Sequence, residues 1–236
     1  KMERTKLELL RFEYKEKEYV FGFGLEQVKT FSNLSIKRGG KFDDIEFIKL
    51  GLSKFSKAGY ITDKVAKEIR NGIYDNGIAI GEGDNADFME YSEFIEYLIG
   101  LYLQAINDAA EEVNPAVVTI NENGSVDVLV DGVEYTLKYT RKAIDEMMSS
   151  NVFDYTNYLE LYVVGSTMIR HALQHYNKHM SVNLSDQIFL SIWSSQVNDE
   201  ENQDLVEVIN ALVYNMNEVS QEGVKKSKVV FQASTK

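Results

Sequence analysis

Cysteine is absent from the 236 residues, which removes disulfides and thiolate metal sites and suits a reducing compartment. Proline occurs once, at Pro115, so the loops are not Pro-rich linkers. No charged-then-apolar leader opens the chain, and no apolar run approaches the length of a membrane span. No G-x-S-x-G elbow occurs. Positive charge is in deficit: 25 Lys and Arg against 37 Asp and Glu give a net −12. Such a chain is repelled by nucleic acid and by anionic membrane faces, so neither is expected as a partner; a basic protein is.

Hydrophobic content of 44% and aromatic content of 11% support one large core or two small ones. The pattern favours two. Glu18-Tyr19-Val20-Phe21-Gly22-Phe23 alternates apolar with polar, then passes into helical spacing at Leu25, Val28 and Phe31. Glu134-Tyr135-Thr136-Leu137-Lys138-Tyr139 does the same and passes into Ala143, Ile144 and Met147. A period-two run entering a period of three to four predicts strand into helix, and its recurrence about 116 residues later predicts a duplication.

Taken in order, Leu7 to Tyr14, a polar turn at Lys15-Glu16-Lys17, and Tyr19 to Phe23 predict a β-hairpin. Helices are expected over Leu25 to Leu34, Phe42 to Ala58 with Gly59 as the stop, a stretch capped by Thr62, and Phe88 to Glu112. Asn76 to Asp87 is expected to be a loop. Past Pro115 come three strands, Val117 to Ile120, Val126 to Val130 and Val133 to Tyr139. Asp131-Gly132 between the last two is a strong hairpin signal. Helices then follow at Arg141 to Met148, Tyr155 to His179, from Leu184, and from Leu205. Leu184-Ser185-Asp186 repeats Ile61-Thr62-Asp63, cap included.

The expectation is an α+β chain, mostly helical, with two similar subdomains. Each is a hairpin or small antiparallel sheet followed by about four helices. The halves are 1–113 and 116–223, with a basic tail at 224–236.

Candidate sites are few. His171, His175 and His179 recur every four residues on one helical stripe, where adjacent pairs have metal-ligand spacing. No acidic residue at matching spacing completes the shell, and a polar helix face or aromatic packing beside Tyr176 accounts for them better, so no metal is assigned. Aligning Glu90 as the last ligand of a calcium loop places Ala79, Gly81 and Gly83 at carboxylate positions, which excludes that reading. Gly22-Phe23-Gly24 and Arg38-Gly39-Gly40-Lys41 lack the remaining residues of phosphate-binding loops. Nothing requires a cofactor, and the expectation is a non-enzyme. Aromatic residues around more than one helix face either fill a bundle or offer a groove to a partner helix. Tyr97, Tyr102, Trp193 and Tyr214 are the candidate partner contacts.

The layout resembles the tail assembly chaperones of long-tailed bacteriophages. Val133-Glu134-Tyr135-Thr136-Leu137-Lys138-Tyr139-Thr140-Arg141-Lys142-Ala143-Ile144 is similar to that family's opening strand and basic first helix. The helix through His171-Ala172-Leu173, the helix from Leu184, and the closing helix Leu205 to Val219 follow its order. The resemblance implies a non-catalytic chaperone in the host cytoplasm. It implies binding to helical segments of the tape measure protein and recruitment of tail tube subunits. Two copies in one chain depart from the usual single domain; a fused pair can stand in for a homodimer, and homo-oligomer formation stays open. The alternatives from other classes are a phage-encoded acidic inhibitor and a structural tail or capsid subunit.

Overall fold

The computed structural model describes residues 6–80, 87–149, 158–174, 182–198 and 205–226. The class is α+β, mostly helical, with small antiparallel sheets. Two compact units divide the chain: Lys1–Ala109 with Tyr155–Val163, and Ala110–Asp154 with Val164–Lys236. The halves drawn from sequence run continuously, whereas unit 1 takes in Tyr155–Val163 from later in the chain.

Unit 1 opens on the hairpin β1 (Leu10–Tyr14) and β2 (Lys17–Phe21), paired with Phe12 opposite Tyr19. Its two-residue turn places Lys15 and Glu16 at φ 51° and 61°, the left-handed conformation that matches strand twist. Tyr19, Val20 and Phe21 are all buried. Helix α1 (Leu25–Lys37) follows at once, with Gln27 reaching back to the Gly24 N–H at 3.2 Å. It buries Val28, Phe31, Ser32 and Ser35, a stripe at helical spacing. Helix α2 (Asp44–Ser53) starts at Asp43, whose carboxylate accepts the Glu46 N–H, and buries Phe47, Ile48 and Leu52. Helix α3 (Asp63–Asn76) is capped by Thr62 as expected. The strands β3 (Ile78–Ile80) and β4 (Asp87–Met89) pair before the long helix α4 (Tyr91–Glu111).

The core of unit 1 is aromatic. Phe47 lies 4.7 Å from Phe31 and 4.9 Å from Phe23, and Phe21 meets Phe94 at 5.0 Å, mostly tilted or edge-on. Such geometry suits the ring quadrupoles and adds to area burial. Tyr102, fully buried, stands among them. Its hydroxyl donates to the Leu159 C=O at 2.5 Å. Ser32 Oγ lies 2.8 Å from the phenol oxygen and 2.7 Å from the same carbonyl. Ser35 donates to the buried Glu160 at 2.6 Å. These bonds hold the 3-10 turn Tyr158–Glu160 against α1.

Unit 2 is built on a three-stranded meander, β5 (Val117–Ile120), β6 (Val126–Val130) and β7 (Val133–Leu137), in that order. Val126, Val128 and Val130 are buried, and Asp131-Gly132 turns with φ 50° and 77°. Helix α5 (Arg141–Met148) is capped by Thr140, and α6 (Leu161–Ala172), α7 (Val182–Asn198) and α8 (Leu205–Lys226) follow. Buried Asn215 accepts the Tyr139 N–H at 2.9 Å and donates to the Asn123 C=O at 3.0 Å, tying α8 to two loops of the sheet. Gly124 sits at φ +75°, and a methyl there would lie 2.5 Å from the Ala211 carbonyl, so α8 passes over a backbone only glycine can supply.

The segments that suggested duplication share one geometry. Lys17 pairs in numbering with Val133 and Leu25 with Arg141, each 116 positions apart, so strand, cap and helix start in the same register. Past them the copies diverge. α2 has 10 residues and α6 has 12, and β3–β4 has no counterpart among the described residues. Duplication of the whole half-chain stays a proposal.

Five local expectations need correction. α2 ends at Ser53, not near Ala58, because Ser53 bonds the Leu50 carbonyl and Ser56 leaves the helical path to bond both backbone groups of Val20. The expected loop after Asn76 holds a hairpin. Ser185 is not a cap: it lies inside α7, bonded to the Val182 carbonyl and next to Ser166. The helix expected over Tyr155 to His179 is α6, preceded by the 3-10 turn, with 155–157 and 175–179 outside the described residues. The tail placed at 224–236 begins within α8, which runs to Lys226; 227–236 lie outside the described residues.

Replacing Tyr102 by Phe keeps the ring and removes the hydroxyl beneath Leu159. The expected loss of stability is roughly 1–3 kcal/mol, read as a lower urea midpoint with unchanged slope. An unchanged midpoint would show that the buried network contributes nothing.

Candidate functional site

The four aromatic residues singled out from sequence do not form one surface. Tyr97 is half-buried, and its hydroxyl donates to the Glu8 C=O at 2.7 Å. Beside it Gln104 bonds both backbone groups of Leu7, and the Leu7 side chain fills the notch left by Gly100. This stretch of α4 is therefore covered by residues 6–9 of its own chain. Tyr102 has no accessible surface and is a core residue rather than a partner contact. In unit 2, Trp193 is half-buried with its ring 5.8 Å from Phe189, and Tyr214 is 49% exposed on α8.

His171 is buried on α6, with Nδ1 3.0 Å from the Gln174 amide nitrogen. Burial and the neighbouring Arg170 push its pKa below the ordinary histidine value, against a smaller opposite effect from Glu146. His175 and His179 lie outside the described residues. Among the described residues no three His, Asp or Glu side chains are grouped to hold a metal ion.

A different feature of unit 1 has the form of a binding site. The end of α3, strand β4 and the start of α4 border an open cleft of about 450 Å³. Tyr74, Asp75, Phe88, Glu90 and Tyr91 line it, with Gly77 at the turn. That volume falls in the range of about 300–1,000 Å³ usual for ligand sites. Its aromatic rings are unusually open to solvent: Phe88 is 62% exposed and Tyr74 60%. Clusters of exposed rings mark interaction sites more often than scattered single ones.

Local chemistry builds the cleft. Gly77 ends α3 at φ +66°, and a methyl there would run into the Phe88 ring, so the glycine lets that ring lie against the turn. The ladder pairs Ala79 with Phe88 and sets the ring's position on β4. Beside the cavity, the Arg70 guanidinium lies 5.0 Å from the Tyr74 ring centre and 5.3 Å from that of Tyr91. Arg70 is bound by Asp44 at 2.8 Å, and Tyr91 donates to the same carboxylate at 2.6 Å. Burial pushes the Tyr91 phenol up to about 12, and its hydrogen bond to Asp44 adds to the shift. Burial also raises Asp44, but the bonds from Tyr91 and Arg70 outweigh it and hold the carboxyl below its ordinary value.

On charge, the cleft is acidic. Arg70 is neutralised by Asp44, whereas Asp75 and Glu90 have no ion-pair partner among the described residues. Only part of this was readable beforehand. Arg70 and Tyr74 are four apart on one helix face, but Phe88, expected to open the helix that runs to Glu112, stands on β4, and that helix starts at Tyr91.

No protein-family model, curated protein or solved structure matches this chain.

Both shifts in the Asp44–Tyr91 pair favour the native state within a definite pH window. A depressed carboxyl contributes above its ordinary value of 3.8, and the contribution is lost as pH falls through the folded value. A raised phenol contributes below its ordinary 10.0, and the contribution is lost as pH rises toward 12. Alkaline titration followed at 295 nm should therefore differ between wild type and Tyr91→Phe mainly above pH 11; a difference centred near 10 would contradict the buried pair.

Proposed function

We propose that this chain is a non-catalytic, protein-binding chaperone that engages amphipathic segments of a partner. The observation that carries the reading is the aromatic cleft with its acidic rim. A helix with an apolar stripe and basic flanks offers the rings a surface to cover and the carboxylates a charge to pair. The net charge of −12 supports the same choice, since it slows approach by other acidic molecules and speeds that of basic ones. In the setting implied by the resemblance to phage tail assembly chaperones, the partner is the tape measure protein and the tail tube subunit is recruited to the complex.

A second reading rests on a separate observation. Strand β5 lies at the edge of its sheet, and Val117 on it is 60% exposed beside Leu129, 42% exposed, directly opposite on β6. An open edge flanked by apolar side chains can add a strand from another copy, as a structural tail or capsid subunit would require.

Co-expression separates the two. A chaperone should raise the soluble yield of a long, coiled-coil tape measure protein from the same genome several-fold, and the pair should co-purify. Unchanged solubility, with rings or tubes of the purified chain in electron micrographs, would replace the chaperone reading by the structural one.

A further inference from the structure

We infer that the cleft between α3, the β3–β4 hairpin and α4 seats a lysine or arginine side chain from a basic segment of a protein partner. The inference rests on the protein-binding reading above and adds what the cleft recognises.

Aromatic faces carry negative potential, and a cation near the ring centre is attracted to it. Unit 1 already uses this beside the cleft, where the Arg70 guanidinium lies over Tyr74 and Tyr91. Asp44 cancels that internal charge. What remains toward solvent is the Phe88 ring, which holds no cation among the described residues, together with the exposed Tyr74 ring and the carboxylates of Asp75 and Glu90. Two unpaired negative charges beside open ring faces suit an organic cation with an aliphatic stem. The stem covers the rings and the head group meets the carboxylates, as long basic side chains do at interfaces. An anionic ligand would face both carboxylates with no free positive group in the lining. A purely apolar side chain would bury them unpaired, which is costly. The cavity of about 450 Å³ accepts such a side chain together with neighbours from the same helix turn.

The test uses the whole chain and a fluorescent amphipathic helical peptide of leucine and lysine, followed by anisotropy. Phe88→Ala removes an exposed ring, and Asp75→Asn with Glu90→Gln removes the two charges without removing bulk. Glu122→Gln with Glu134→Gln, two exposed positions in unit 2, makes the same change in net charge elsewhere. Each cleft variant should weaken binding roughly tenfold, and the control less than twofold. Acetylating the peptide's lysines should abolish binding to wild type. Failure of the lysine peptide to bind wild type would overturn the assignment. Equal losses in cleft and control variants, or undiminished binding of the acetylated peptide, would do the same. Co-expression reports on the chaperone reading separately. A tape measure protein solubilised equally by wild type and by both cleft variants would sink this assignment and leave that reading intact.

Discussion

Tyr102 carries a hydroxyl into a position with no accessible surface, and the architecture of unit 1 follows from where that hydroxyl bonds. A buried phenol without a partner would cost a large part of the stability of a small core. Its acceptor is the carbonyl of Leu159, which lies 57 positions away in sequence. The Val28 C=O at 3.2 Å and Ser32 Oγ at 2.8 Å, both on α1, also lie within its reach, so the hydroxyl joins α1 and α4 to the turn Tyr158–Glu160, where Ser35 completes the polar seam. Burial also drives the phenol's pKa above its usual range, so the hydroxyl stays a neutral donor. Glu160 pairs through one oxygen with Ser35, while its other oxygen is buried without a hydrogen bond among the described residues. The seam thus trades some stability for a defined path of the backbone.

The same physics, with solvent in place of a core, shapes the cleft. Arg70, Asp44, Tyr74 and Tyr91 satisfy one another beside the cleft. Phe88 and the rim carboxylates are left without internal partners among the described residues. Rings exposed at 60% and more gain only part of the burial that a core position provides. The groove on α4 expected near Tyr97 is different. Leu7 and Glu8 already cover it, bonded through Gln104 and Tyr97.

Much of the fold was legible from local chemistry. The turn residues Lys15-Glu16 and Asp131-Gly132, the caps Thr62 and Thr140, and the valine alternation of β6 each act within a few residues. Their elements stand where the pattern places them. The errors fall where a distant partner decides. Ser56 bonds to β2 and shortens α2; Ser185 looks like a cap but meets Ser166 from another helix. Tyr102 illustrates the same limit: a tyrosine at helical spacing reads equally as core or interface, and only Leu159 and Ser32 show which.

The sequence by itself determined the fold class, the acidic character, the strand–cap–helix segments 116 positions apart and the hairpin turns and caps, because propensity, turn chemistry and periodicity are short-range. Tertiary structure alone decided three things: that Tyr155–Val163 belongs with the first unit, that α4 is covered at its centre, and that Phe88 stands open above Gly77. Each depends on which segments meet in space, and one-dimensional spacing carries no record of that.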